Sequence, residues 1–390
     1  MTDLVDWSPV LHLAVLGVVL AAGPLTWVWS RHRGGSSAQR LRALTLLTLF
    51  FTFDLIVIGA TTRLTDSGLG CPDWPGCYGS ASPLGAREEI HAAQTAMPTG
   101  PVTHGKAWME MVHRYFAMAV GVLITVIAAM SWLAHRRERG QGPSPWWATL
   151  TLVAVCLQGA FGALTVTMKL YPAIVTLHLL FGLGLLALLA VQAEAFVPRP
   201  VRLSRALQWG VVAVAVLSVL QIALGGWVST NYAVLACTQF PTCQDSWWPP
   251  MNFAQGFEIW RHLGVTGEGV PLDFAALTAI HYAHRLMAYL VFVALGLLAW
   301  RMRRIDSLRP QAAWLAGLAL LQLATGLGNV LLGWPLAAAL LHTGGAAALA
   351  VVLVWALCES RREQAAGARL SRAKPAVPPG APLRGAEVPR

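Results

Sequence analysis

Four histidines stand inside long apolar runs, as two pairs in two halves that repeat each other, and this constrains the chain more than any other feature. Gly59, Cys71, Pro75 and Cys77 recur at one constant interval as Gly225, Cys237, Pro241 and Cys243. His113-Arg114 recurs as His284-Arg285, and the stretch Leu157-Gln158 to Leu177-His178 recurs as Leu321-Gln322 to Leu341-His342. A polar side chain inside a membrane helix costs free energy unless it has a partner, and it is rarely there without a function. A duplicated unit with two such histidines in each copy therefore implies a ligand site made twice.

The apolar runs are what make these positions intramembrane. Over 390 residues the chain is 56% hydrophobic and only 12% charged, with a mean hydropathy of +0.57, which places it among polytopic membrane proteins. Nine runs are long enough to cross about 30 Å of hydrocarbon. They lie near 9–29, 41–60, 108–133, 146–167, 173–195, 206–227, 277–300, 312–333 and 336–358. The first lacks a basic leader, follows Asp3 and Asp6, and is read as a helix rather than a signal peptide. Nothing in the second half corresponds to it. The fold class expected is an all-α polytopic membrane protein: two pseudo-symmetric four-helix bundles, related as parallel repeats, plus one extra N-terminal transmembrane helix. Residues 1–40 hold the extra helix and an inner loop, 41–196 the first bundle and 197–358 the second. Residues 359–390 read as a disordered cytoplasmic tail.

Most of the 28 Lys and Arg residues fall in alternate connections and in the tail, whereas the long loops 61–107 and 228–276 hold few. By the positive-inside rule the N-terminus and both long loops lie outside and the C-terminus lies in the cytoplasm of a bacterial-type cell, spanning its inner membrane. The net charge of +10 is therefore topological, the surroundings are lipid, and a nucleic-acid partner has no support. Four of the six cysteines form two C-x5-C pairs, Cys71 with Cys77 and Cys237 with Cys243, in the outer loops. An oxidising location favours two small disulfide loops; two unrelated pairs of free thiols are the alternative.

All four histidines are placed on the order of 10 Å below the outer boundary at 1.5 Å per residue. Two imidazoles per four-helix unit at one depth suit the axial positions of a haem iron. Histidines bonded only to neighbouring helices are the bland alternative, and register between the halves weighs against it. Arg114 and Arg285 are candidates for pairing with haem propionates, or else reach to the interface. One position breaks the repeat: Glu110 precedes His113 by one turn, where His281 precedes His284. Glu110 is a candidate proton acceptor, with capping of its helix as the alternative.

With these residues in hand, the chain resembles the heme A synthase family over residues 41–358. The resemblance rests on the segment Thr61-Thr62-Arg63-Leu64-Thr65-Asp66-Ser67-Gly68-Leu69-Gly70-Cys71 to Cys77, on Glu110-x-x-His113-Arg114, and on His178, His284-Arg285 and His342. It implies an oxidoreductase that converts the C8 methyl of haem O to the formyl group of haem A for cytochrome oxidase biogenesis. It also implies a resident haem b on His284 and His342, and the substrate haem O on His113 and His178 beside the catalytic Glu110. Haem O synthase and cytochrome oxidase assembly factors are the protein partners implied. The first helix and residues 84–105, with His91 and His104, are extra to the family pattern.

Two other functions fit part of the sequence. A dihaem b-type electron-transfer cytochrome would place its haems at different depths, whereas these histidines lie near one face. A haem carrier or transporter is compatible with parallel repeats, but the chain reads as lacking the broken helices and intramembrane acids expected at a transport site.

Overall fold

A computed structural model describes residues 8–138, 143–197, 201 and 203–373. Its helices run in the order α1 (Ser8–Arg31), α2 (Ser37–Leu64), α3 (Arg87–Ala96), α4 (His104–Arg137), α5 (Trp146–Thr167), α6 (Pro172–Phe196), α7 (Arg205–Thr230), α8 (Phe253–Gly256), α9 (Phe274–Met302), α10 (Arg309–Leu331) and α11 (Leu336–Ala373). Nine of these, all but α3 and α8, are long and apolar enough to cross a membrane. The protein is thus an all-helical, multi-pass membrane protein.

Helix starts are set by caps as much as by hydropathy. Ser36 caps α2 in a reciprocal box with Gln39, Thr103 caps α4 by accepting the Lys106 N–H, and Ser204 does the same for α7 with Leu207. Pro172 occupies the first turn of α6, where its missing N–H costs nothing. The Thr103 cap starts α4 at His104, a full turn before the apolar run near 108. The long first loop also hides a polar helix, α3, with Glu88 and Glu89 in its first turn.

Packing order explains how the histidines come to face one another. In the first half α2 packs on α4 and α6, while α5 packs on both α4 and α6, closing a four-membered ring. The second half repeats it with α7, α9, α10 and α11. In each ring the two histidine-bearing helices, α4 and α6 or α9 and α11, occupy opposite corners. The halves meet through α6 against α11, α2 against α11 and α6 against α7. Near the outer ends of α2 and α7, Arg63 donates to the carbonyl of Ser229 at 2.5 Å and the Tyr232 hydroxyl bonds Asp66 at 2.5 Å, each pair 166 residues apart. That interval is the one relating Gly59 to Gly225. A residue can touch its own equivalent only on a two-fold axis, so these contacts mark the pseudo-axis.

Outside this symmetry α1 lies along α4, and a Cβ at Gly17 would stand 2.9 Å from that of Met118. Leu13 joins the cluster around the Cys71–Cys77 disulfide, so the extra helix braces the first outer loop. At the other end α11 continues through Ala373, past the boundary at 359 expected for a disordered tail. Residues 361–366 are Arg-Arg-Glu-Gln-Ala-Ala, all strong helix formers that extend the last span. The rest of the expected tail, and Pro198 and Pro200 of the link between the halves, lie outside the described residues.

Gly17→Leu is expected to destabilise the detergent-solubilised protein by about 1–3 kcal/mol through overpacking of α1 against α4. Gly23→Leu on the same helix, where nothing lies within 4 Å of the added carbon, is the matched control and should be near neutral in thermal unfolding.

Candidate functional site

Each histidine is seated by a glycine on a neighbouring helix. A Cβ at Gly59 or Gly225 would lie 3.0 Å from Cε1 of His113 or His284, and one at Gly162 or Gly326 would lie 3.4 Å from Cε1 of His178 or His342. At Gly59 and Gly225 a side chain would press on the ring, and at Gly162 and Gly326 a Cβ would come just into van der Waals contact with it. A second repeated device fixes the other histidine of each pair. The Gln158 side chain donates to the His178 carbonyl at 3.0 Å, and Gln322 donates to that of His342 at 2.8 Å. Within each pair, His113 with His178 and His284 with His342, the rings are close enough to interact electrostatically.

The halves differ in what holds the outward ring nitrogens. In the second half Gln221 reaches His284 Nδ1 at 3.1 Å and the His284 carbonyl at 3.2 Å, while Thr325 Oγ1 lies 2.9 Å from His342 Nδ1. At the equivalent places the first half has Leu55 and Phe161. Nδ1 of both His113 and His178 is buried with no hydrogen-bond partner. One histidine pair is therefore anchored through a polar shell and the other is not.

Glu110 is 4% exposed and sits in the second turn of α4, which rules out helix capping because Thr103 is the cap. Its Oε2 accepts the Cys71 N–H at 2.8 Å and its Oε1 pairs with Arg114 at 2.5 Å. His281 does the equivalent tying in the second half, its Nδ1 meeting the Ala233 carbonyl at 3.1 Å. The carboxylate thus fastens the first disulfide loop to the helix that carries His113.

Both disulfides are formed, Cys71–Cys77 and Cys237–Cys243, with Cα atoms 4.9 Å apart in each. Each loop is gripped by the arginine that follows a histidine. Arg114 donates to the carbonyls of Asp73, Pro75 and Gly76, and Arg285 to those of Gln239, Pro241 and Thr242. In the structure both guanidinium groups hold the tight loops through these carbonyls. His91 and His104 lie near each other at the outer surface, ring centroids 6.3 Å apart, away from the paired histidines.

The sequence reading assigned no role to the four glycine seats, Gln221 or Thr325. It also passed over Asp54, an acid within α2 that has no repeat counterpart, since Leu220 stands at that place. Intramembrane acids are therefore present after all, in Asp54 and Glu110.

Fold and site together define a polytopic membrane protein in which two repeated bundles each enclose a pair of facing histidines. The family model described as cytochrome oxidase assembly protein matches residues 42–354, and the chain belongs to that family. α1 lies outside the match. Among its relatives, the heme A synthase of Shewanella oneidensis is 38% identical over 81% of this chain and 95% of its own length. Those of a Methylobacterium species and of Halalkalibacterium halodurans are 29% and 26% identical, covering 83% and 81% of this chain and 92% and 95% of their own lengths.

Gly225→Ala is expected to tilt His284 and alter the optical spectrum of bound haem, whereas Gly296→Ala, with open space beside it, should leave the spectrum unchanged.

Proposed function

We propose that the protein is a heme A synthase, a membrane oxidoreductase that takes haem O as substrate and releases haem A for cytochrome oxidase. The two histidine pairs divide the work: His284 and His342 hold a resident haem b, and His113 and His178 hold the substrate. The single observation that carries this division is the unequal anchoring of the imidazoles. Groups bonded to the outward nitrogen of a ligating histidine fix its orientation and raise metal affinity, typically about 10–100-fold. In the second half Thr325 Oγ1 can accept from the His342 Nδ1–H, and Gln221 holds His284 by donating to its carbonyl with its amide nitrogen packed on the ring. Leu55 and Phe161 withhold it in the first, which suits a site that must load and release its occupant in every cycle.

The residues fit haem at both sites. His113 with His178 and His284 with His342, on opposite helices of each ring and beside glycines, would each hold a haem iron through two imidazole nitrogens. Haem b, when bound, supplies electron transfer. The reaction takes the C8 methyl through an alcohol to a geminal diol by two steps, each adding one oxygen and passing two electrons to an oxidant from outside the chain, and the diol loses water to leave the formyl group. The chain's part is to orient that methyl, exclude bulk water beneath the disulfide loops and accept protons. Glu110 is the acid placed for the last task, one turn from His113, while its bonds to Cys71 and Arg114 hold the loop in position. The arginine distribution supports an orientation with this site toward the outer face, the N-terminus outside and the C-terminus in the cytoplasm.

His284→Ala or His342→Ala should lose the resident haem b, while His113→Ala or His178→Ala should retain most of it and make no haem A. Chromatography of extracted haems measures both, and equal loss of haem b from all four variants contradicts the division.

Glu110→Gln separates proton transfer from loop tethering, because an amide oxygen still accepts the Cys71 N–H. The variant should fold and keep haem b but form haem A about 100- to 10,000-fold more slowly, with haem O or its hydroxylated intermediate accumulating. Near wild-type haem A would return Glu110 to a purely structural role.

A further inference from the structure

Arg114 and Arg285 donate to loop carbonyls, and a third arginine offers a further cation for the carboxylates of the substrate porphyrin. Arg261, in the second outer loop, is only 1% exposed and is among the largest side chains completely enclosed by the protein. Its Nη2 donates to Asn231 Oδ1 at 2.6 Å, its Nη1 reaches the His262 and Val265 carbonyls at 3.5 and 3.4 Å, and its Nε has no partner. The Trp227 ring lies 5.7 Å away. No carboxylate among the described residues forms an ion pair with it: Glu258 acts on it only at a distance and accepts the Gly267 N–H at 2.9 Å. Burial pulls the guanidinium pKa down, opposed by Glu258 and Tyr171. A buried charge facing only neutral groups is expensive, so the position calls for an anion.

Its surroundings point to one of the two sites. Arg261 lies between Trp260 and His262, whose rings pack on Tyr171 with centroids 4.8 and 5.3 Å apart. Tyr171 caps α6, and about two helical turns further on, along the same stripe as Ile174, stands His178. The loop of the second half therefore folds over the outer end of the first half's histidine helix and brings its buried arginine there.

We propose that Arg261 binds a propionate of the haem held by His113 and His178, so that the second half's outer loop completes the substrate site of the first. The free Nε–H and the remaining donors of the guanidinium suit a carboxylate, the one anionic group that a haem substrate carries. The residue also gives the site a reason to prefer the free acid to an uncharged porphyrin. This assignment rests on the proposed function above.

The test is an optical titration of the purified protein, with its resident haem in place, by haem O and by haem O dimethyl ester. Wild type should bind the free acid about 30-fold more tightly than the ester, the scale of a buried charge pair. Arg261→Gln should weaken free-acid binding by about that factor and lose the discrimination, and Arg261→Lys should recover part of it. The wild-type comparison of acid with ester needs no variant and stays informative if Arg261→Gln folds poorly. Equal binding of acid and ester by wild type, or full discrimination in a folded Arg261→Gln, overturns the assignment. His113→Ala serves as the separate control: if haem O still binds that variant as wild type, the underlying reading of the first site fails, whatever Arg261 does.

Discussion

An imidazole inside an apolar bundle must be held in one orientation by its neighbours, and the rest of this structure depends on how that is done. Two contacts recur in both halves. A glycine on an adjacent helix removes the side chain that would push the ring away, and a glutamine clasps the carbonyl of the second histidine. Because each bundle closes as a ring of four helices, the two seats lie on opposite corners and the rings face across the interior. The duplicated sequence thus becomes a duplicated pair of buried histidines related by a pseudo-axis, marked where Arg63 meets Ser229 and Asp66 meets Tyr232.

Departures from the symmetry are the chemically informative part. Gln221 and Thr325 anchor one histidine pair where Leu55 and Phe161 leave the other without support. Glu110 introduces a carboxylate where the other half has His281, yet both perform the same mechanical task of tying an outer loop to its helix. The same position can therefore carry structure in both halves and chemistry in one. Arg114 and Arg285 show the reverse: identical placement beside a histidine, and in both halves bonds to loop carbonyls, joined in the first by the ion pair of Arg114 with Glu110.

How much of this was legible in the sequence follows from the range of each interaction. Nine membrane helices were readable because lipid demands long apolar runs, and the start of α4 was misplaced because His104-Gly105-Lys106 is polar while its Thr103 cap is local. The paired histidines stood out because such residues are scarce in membrane helices. Gly59 and Gly225 were visible as repeat markers, but glycines are common there, so neither they nor Gly162 and Gly326 could be read as seats without the packing. A long flexible side chain next to a histidine does not announce which way it bends, so the bonds of the two arginines to loop carbonyls could not be read. Arg261 was invisible as a site residue for a further reason: its burial arises from a loop of one half packing on a helix of the other.

Unequal anchoring implies unequal residence, and residence can be measured directly. Purified protein loaded with haem would be mixed with excess isotopically labelled haem and the exchange followed by mass spectrometry. The account predicts two phases, one equivalent of haem b exchanging slowly and a second haem exchanging at least tenfold faster. A single slow phase for two equivalents of haem b would contradict it and make the protein a symmetric dihaem cytochrome.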